Sequence, residues 1–108
     1  MVVFLYPLIM RTDFIPFKIG MEYENWEFDL EPAENTLEYD KYIYFKNDIT
    51  TLFGFKVSRI FLYFSWDILV KVEIYIFAKT LGEKSKIPKK FIVQRVDANT
   101  IKLSLGQT

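Results

Sequence analysis

The sequence predicts an all-β fold: a small antiparallel sandwich, roll or barrel of six to eight strands. Three observations carry that expectation. Apolar residues recur with period two, as in Ile60-Leu62-Phe64 and Val70-Val72-Ile74-Ile76, the spacing of a strand with one buried face. Long helical periodicity is scarce. Turn-forming residues punctuate the alternating runs at Asn47-Asp48, Gly54, Asp67 and Asp97-Ala98-Asn99, where the chain can reverse. At 108 residues the chain has the length of one domain, so residues 1–108 are expected to form a single β-rich unit.

Taken in order, residues 2–10 (VVFLYPLIM) read as a buried or edge strand bent at Pro7. The run falls short of the ~20 residues that span a bilayer. It also lacks the basic region and small-residue cleavage site of a signal peptide. A soluble, cytoplasmic protein without membrane contact is therefore expected. Residues 17–30 favour a hairpin turning at Glu24-Asn25, which pairs Tyr23 with Trp26, Met21 with Phe28 and Ile19 with Leu30 on one face. Its fault is Glu22 opposite Glu27, since like charges repel across a pair. The alternative is an α+β fold with one short helix near residues 21–30. That helix would leave Met21 and Phe28 on the wrong side and carry Gly20 at its weak start.

Residues 36–46 read as the next strand, with Ile43 and Phe45 on one side and Tyr42 and Tyr44 on the other. Asn47-Asp48 turns the chain, and Gly54 marks a bend or bulge before Phe55. Residues 55–77 form the clearest hairpin. A three-residue loop, Ser65-Trp66-Asp67, would set Phe64 opposite Ile68, Leu62 opposite Val70 and Ile60 opposite Val72. The other face would then hold Arg59 opposite Glu73 and Phe61 opposite Lys71. A two-residue loop would oppose Leu62 to Lys71, and a one-residue slip sends each side chain to the wrong face. That second face also carries Tyr63, Leu69, Tyr75 and Phe77. It is too apolar for a plain wet face, so it is either a second buried layer or an exposed interaction patch. Residues 81–88 form a loop. Residues 91–105 form a last hairpin, in which a three-residue turn pairs Val93 with Leu103 and an even-length turn pairs Val96 with Ile101.

Composition limits the chemistry. The chain has no histidine and no cysteine, while Phe, Tyr and Trp number 11, 7 and 2. Ser-His-Asp and Cys-His catalysis, ordinary zinc sites and disulfides are thereby removed. No GxGxxG or Walker sequence supports a nucleotide phosphate, and no cofactor or metal is expected. Carboxylate pairs such as Glu27 with Asp29, or Glu22 with Glu27, are the remaining acid–base candidates, but alternating carboxylates usually solvate a face. A non-enzymatic protein is the expectation.

Net charge is zero, yet the charges are segregated. Residues 21–40 hold eight acids and no base, whereas residues 79–102 hold seven bases against Glu83 and Asp97. Such runs often do no more than solvate a surface. The functional reading is an acidic stretch that steers toward a basic partner. The expected function is protein binding by occupancy, as an inhibitor, an immunity or anti-defence factor, or an assembly component, with a second copy of the chain as one possible partner. The candidate contacts are Glu22, Glu24, Glu27, Asp29 and Glu31, the loop tip Trp66, and the mixed face of Phe61, Tyr63 and Tyr75. Two alternatives are a single-stranded nucleic-acid-binding barrel using Lys84, Lys86, Lys89 and Lys90, and a barrel around an apolar ligand. The zero net charge weighs against nucleic acid.

Overall fold

The computed structural model describes residues 15–35, 38–79 and 87–106. The expectations for residues 2–10 and 81–86 lie outside these. The strands are β1 (Leu30–Asn35), β2 (Asp40–Tyr44), β3 (Thr51–Leu52), β4 (Phe55–Ser65), β5 (Ile68–Phe77), β6 (Ile92–Asp97) and β7 (Thr100–Gly106). They form one antiparallel sheet in the order β1-β2-β4-β5-β7-β6, with β3 paired to the start of β4. The all-β class and the strand number are those expected. Among the described residues, no helix is long and apolar enough to cross a membrane.

Beyond its tip the β4–β5 hairpin keeps the expected faces but reaches them by another register; at the tip Leu69, expected on the second face, is buried, and Ile68, expected in the core, is exposed. Its loop is Trp66-Asp67 alone, with Ser65 paired to Ile68 and Phe64 to Leu69. Both loop residues have positive φ, 53° and 66°, as a type I′ turn requires. Val70 is then bulged out, and pairing resumes at Tyr63–Lys71, Leu62–Val72, Phe61–Glu73, Ile60–Ile74 and Arg59–Tyr75. The three-residue loop and its pairs Leu62–Val70 and Arg59–Glu73 are therefore corrected. A two-residue turn conflicts with the alternation only if the strand is regular. The bulge absorbs the odd residue, restores parity beyond it and turns Leu69 into the core. A second bulge at Ser58, between Val57 and Arg59, keeps Val57 inward and Arg59 outward.

The β6–β7 hairpin repeats the device. Ala98-Asn99 forms a two-residue turn between the paired Asp97 and Thr100, and Val96 is bulged. Val93 pairs with Leu103, one of the two registers expected, although the turn is shorter than the three residues that register implied. The Arg95 guanidinium donates to the carbonyls of Asp97, Ala98 and Ala78 at 2.9, 3.2 and 3.1 Å. That ties the turn to the end of β5. Gly54, at φ 85°, turns the chain before Phe55 as expected; Asn47 also has positive φ, 63°, but the chain does not reverse there, because β2 and β3 both run antiparallel to β4.

Residues 17–30 are neither the preferred hairpin nor an α-helix. They form two successive 3₁₀ turns, Tyr23–Asn25 and Glu27–Asp29, and then enter β1 at Leu30. Tyr23 and Trp26 lie three residues apart, one 3₁₀ turn, so both rings point to the sheet. Tyr23 meets Phe64 edge-on at 5.5 Å, and Trp26 packs on Phe17 at 4.9 Å. Phe28, expected to be buried, is 86% exposed. β1 itself was hidden by Pro32 and its acids. It is an edge strand, where a proline and a bulge are tolerated, and its register shifts after Pro32.

The inner face of the sheet carries Ile60, Leu62, Phe64, Leu69, Val72, Ile74, Ile76, Ile101 and Leu103, all buried. Phe17, Leu52, Phe53, Ile87 and Phe91 also belong to the buried cluster, and Tyr23 and Trp26 pack against it. Each fully buried aliphatic or aromatic side chain contributes about 1.5–3 kcal/mol. The outer face is a different surface, and it bears most of the chemistry.

Candidate functional site

The pairing places one carboxylate at the centre of the outer face. Across the sheet, Glu31, Ile43, Phe61, Glu73, Ser104 and Ile92 are successive neighbours. The next row is Glu34, Lys41, Tyr63 and Lys71, and the row on the other side is Arg59, Tyr75, Lys102 and Gln94. Directly paired residues share a face, so aromatic rings and cations alternate around Glu73.

Glu73 is only 4% exposed, and it is well partnered. The Tyr63 hydroxyl donates to its Oε1 at 2.7 Å. The Lys71 and Lys102 ammoniums approach its Oε2 at 3.2 and 3.6 Å. Burial alone would raise the carboxyl. The Tyr63 hydrogen bond and the two lysines outweigh it, and hold Glu73 below the usual glutamate range. Burial, and then the hydrogen bond to Glu73, push the Tyr63 hydroxyl up. Tyr75 is raised for related reasons, burial first and the Glu73 charge second.

The rings are covered by cations. Lys41 Nζ lies 4.4 Å from the Phe61 ring centre and 5.5 Å from Tyr63. The Arg59 guanidinium lies 5.4 Å from Tyr75 and 5.9 Å from Phe61, and Lys71 Nζ lies 5.1 Å from Tyr63. Phe61 and Tyr75 meet edge-on at 5.8 Å. Phe61, Tyr63 and Tyr75 are each half-buried. Among the described residues the centre of this face is cationic, with Lys41, Arg59, Lys71 and Lys102 against Glu73; Glu31 and Glu34 line its β1 rim.

The end of the β4–β5 hairpin is the second surface. The Gly20 N–H donates to the Leu69 carbonyl, the Leu69 N–H to Met21 and the Tyr23 N–H to Asp67, each at 2.8 Å. Glu22 bridges to Ile68. These bonds clamp the start of the acidic stretch to the hairpin tip. Trp66 stands there 94% exposed, the most exposed large apolar side chain described, with Ile68 partly exposed beside it. Burial first, then Tyr23, Asp40 and Asp67, push the nearby Tyr42 hydroxyl up, so acidic charge gathers at this end.

The acidic stretch is thus divided among three places. Glu22 and Glu24, both exposed, flank the Trp66 tip. Glu27 and Asp29 occupy the second 3₁₀ turn beside the exposed Phe28, and the Asp29 carbonyl accepts the Phe45 N–H at 3.0 Å. Glu31 belongs to the outer-face rim. Of the lysine cluster, Lys89 and Lys90 are exposed before Phe91, whereas Lys84 and Lys86 lie outside the described residues. The roles of Glu73, Lys41, Arg59 and Lys102 escaped the sequence. Lys102 joins this face because β7, rather than β6, neighbours β5, and no local pattern encodes that order. A cleft of about 240 Å³ is lined by Ile15, Phe17, Lys18, Phe53, Pro88, Lys90 and Phe91, below the usual 300–1,000 Å³ of small-molecule pockets. No protein-family model, curated protein or solved structure matches the chain.

Proposed function

We propose that this is a non-enzymatic protein-binding module that acts by occupancy, with the Trp66 tip as its anchor. The observation that carries the reading is the exposure of Trp66 on a hairpin tip clamped by backbone hydrogen bonds. A bulky residue at positive φ costs about 1–2 kcal/mol relative to glycine or asparagine, and full exposure of an indole adds no burial. Trp is also among the commonest energetic anchors of protein interfaces. Glu22, Glu24 and Asp67 around it suit a partner pocket rimmed by cations, with the charges hastening encounter. Such a module works in the cytoplasm as an inhibitor, an immunity or anti-defence factor, or an assembly component.

The nucleic-acid alternative is weaker on this geometry. Single strands bind by stacking bases on open rings, whereas the rings of the outer face are already covered by Lys41, Arg59 and Lys71.

Trp66→Asn tests the reading without an unfolding artefact. Asparagine suits the type I′ turn, so the melting temperature is expected to rise by several degrees, equivalent to about 1 kcal/mol. Capture of partner protein by the immobilised chain should nevertheless fall at least about tenfold. Equal capture by both proteins would remove Trp66 as the anchor.

A further inference from the structure

We infer that the cationic outer face around Arg59 receives the Trp66 tip of a second copy of this chain. The inference rests on the reading of Trp66 as a docking anchor and adds the identity of its partner. The two surfaces are complementary in charge. The tip carries Glu22, Glu24 and Asp67, and the centre of the face carries Lys41, Arg59, Lys71 and Lys102 against the single buried Glu73. The chain as a whole carries no net charge, so copies do not repel one another overall.

The ring chemistry is complementary as well. Arg59 is exposed and lies over the edge-on pair of Phe61 and Tyr75. An indole is the strongest aromatic partner for a guanidinium, so an incoming Trp66 adds a third ring to Arg59 while its acidic flanks meet the lysines. The same cations that cover the rings against a stacked base are the groups a carboxylate-flanked tip pairs with. A chain cannot dock its own tip here. Trp66 lies seven residues beyond Arg59 on the extended β4, about 23 Å away. In a head-to-tail contact one tip fills one face, and the pair keeps one unused tip and one unused face. Such a contact continues into rings or filaments, whereas reciprocal docking of both tips closes a two-fold dimer.

Sedimentation velocity with two complementary variants tests this. Trp66→Ala disables the tip, and Arg59→Glu, at an exposed position, disables the face. The unaltered chain is expected to self-associate at low salt, into reciprocal dimers or larger head-to-tail species, and to dissociate as salt rises. Each variant alone should sediment as a monomer, its self-affinity reduced about tenfold or more. An equimolar mixture should give dimers and nothing larger, because only one good tip and one good face remain per pair. That rescue also shows that both variants are folded. Monomeric unaltered chain at low salt, a mixture that stays monomeric, or assembly of either variant like the unaltered chain each overturns the inference. If the unaltered chain is monomeric while Trp66-dependent capture of a foreign protein persists, the broader binding function survives. If a single-stranded oligonucleotide binds the monomer and Arg59→Glu abolishes that binding, the face belongs to nucleic acid.

Discussion

Replacing Glu73 with alanine is expected to lower the melting temperature by roughly 10–15 °C, as a loss of about 2–3 kcal/mol implies for a chain of this size. The carboxylate is buried and partnered by Tyr63, Lys71 and Lys102. Its removal leaves two half-buried ammoniums facing one another without a counter-charge, and strands the Tyr63 hydroxyl. Tyr63→Phe removes only one hydrogen bond to the carboxylate and should cost less, about 1.5 kcal/mol. The pH dependence carries the same signature. Glu73 titrates below its ordinary value in the folded chain, so its stabilisation is full above the unfolded value of about 4.3. It is lost as pH falls through the lower folded value. Thermal melts across the acid range should therefore fall less steeply for Glu73→Ala than for the unaltered chain. A melting temperature unchanged by the substitution would show that the ion cluster contributes nothing net.

Gly106→Ala is the second large effect, an expected loss of about 2 kcal/mol read by the shift of the denaturation midpoint. Gly106 has φ 101°, where an alanine is strained. A Cβ there would overlap the Val70 carbonyl and come within 2.8 Å of Ile19 Cδ1. The carbonyl belongs to the bulge that sets the β5 register, so the backbone cannot yield cheaply. Ile19 is the end of a side chain and can move. Replacing Ile19 with alanine as well should therefore recover little. Full recovery in the double variant would place the clash on Ile19 instead of the bulge.

The strands were legible because their alternation is strong: Ile60-Leu62-Phe64 and Val72-Ile74-Ile76 name the buried face without reference to any partner. The bulges were not. Val70 and Val96 are ordinary strand residues, and nothing in their chemistry separates a paired valine from an unpaired one. The 3₁₀ turns at residues 23–29 escaped for a related reason. Tyr23 and Trp26 satisfy a three-residue period, a four-residue stripe and a tight hairpin about equally, and only packing on Phe64 and Phe17 decides among them. Trp66 stood out as a loop tip from the turn it occupies. Glu73 was placed beside Lys71 on the outer face, but its central role needs Lys102, which comes from a strand whose neighbour is set by the global fold.

The bulges also determine where this chain tolerates losing a residue. In a regular strand, excising one position turns every following side chain over and sends core residues to solvent. Val70 and Val96 are exceptions. Without Val70, Leu69 and Lys71 would become consecutive and still face Phe64 and Tyr63; without Val96, Arg95 and Asp97 would still face Ile101 and Thr100. A systematic scan of single-residue deletions should therefore find both positions survivable, and both hairpins can shorten by one codon while keeping their inner and outer faces.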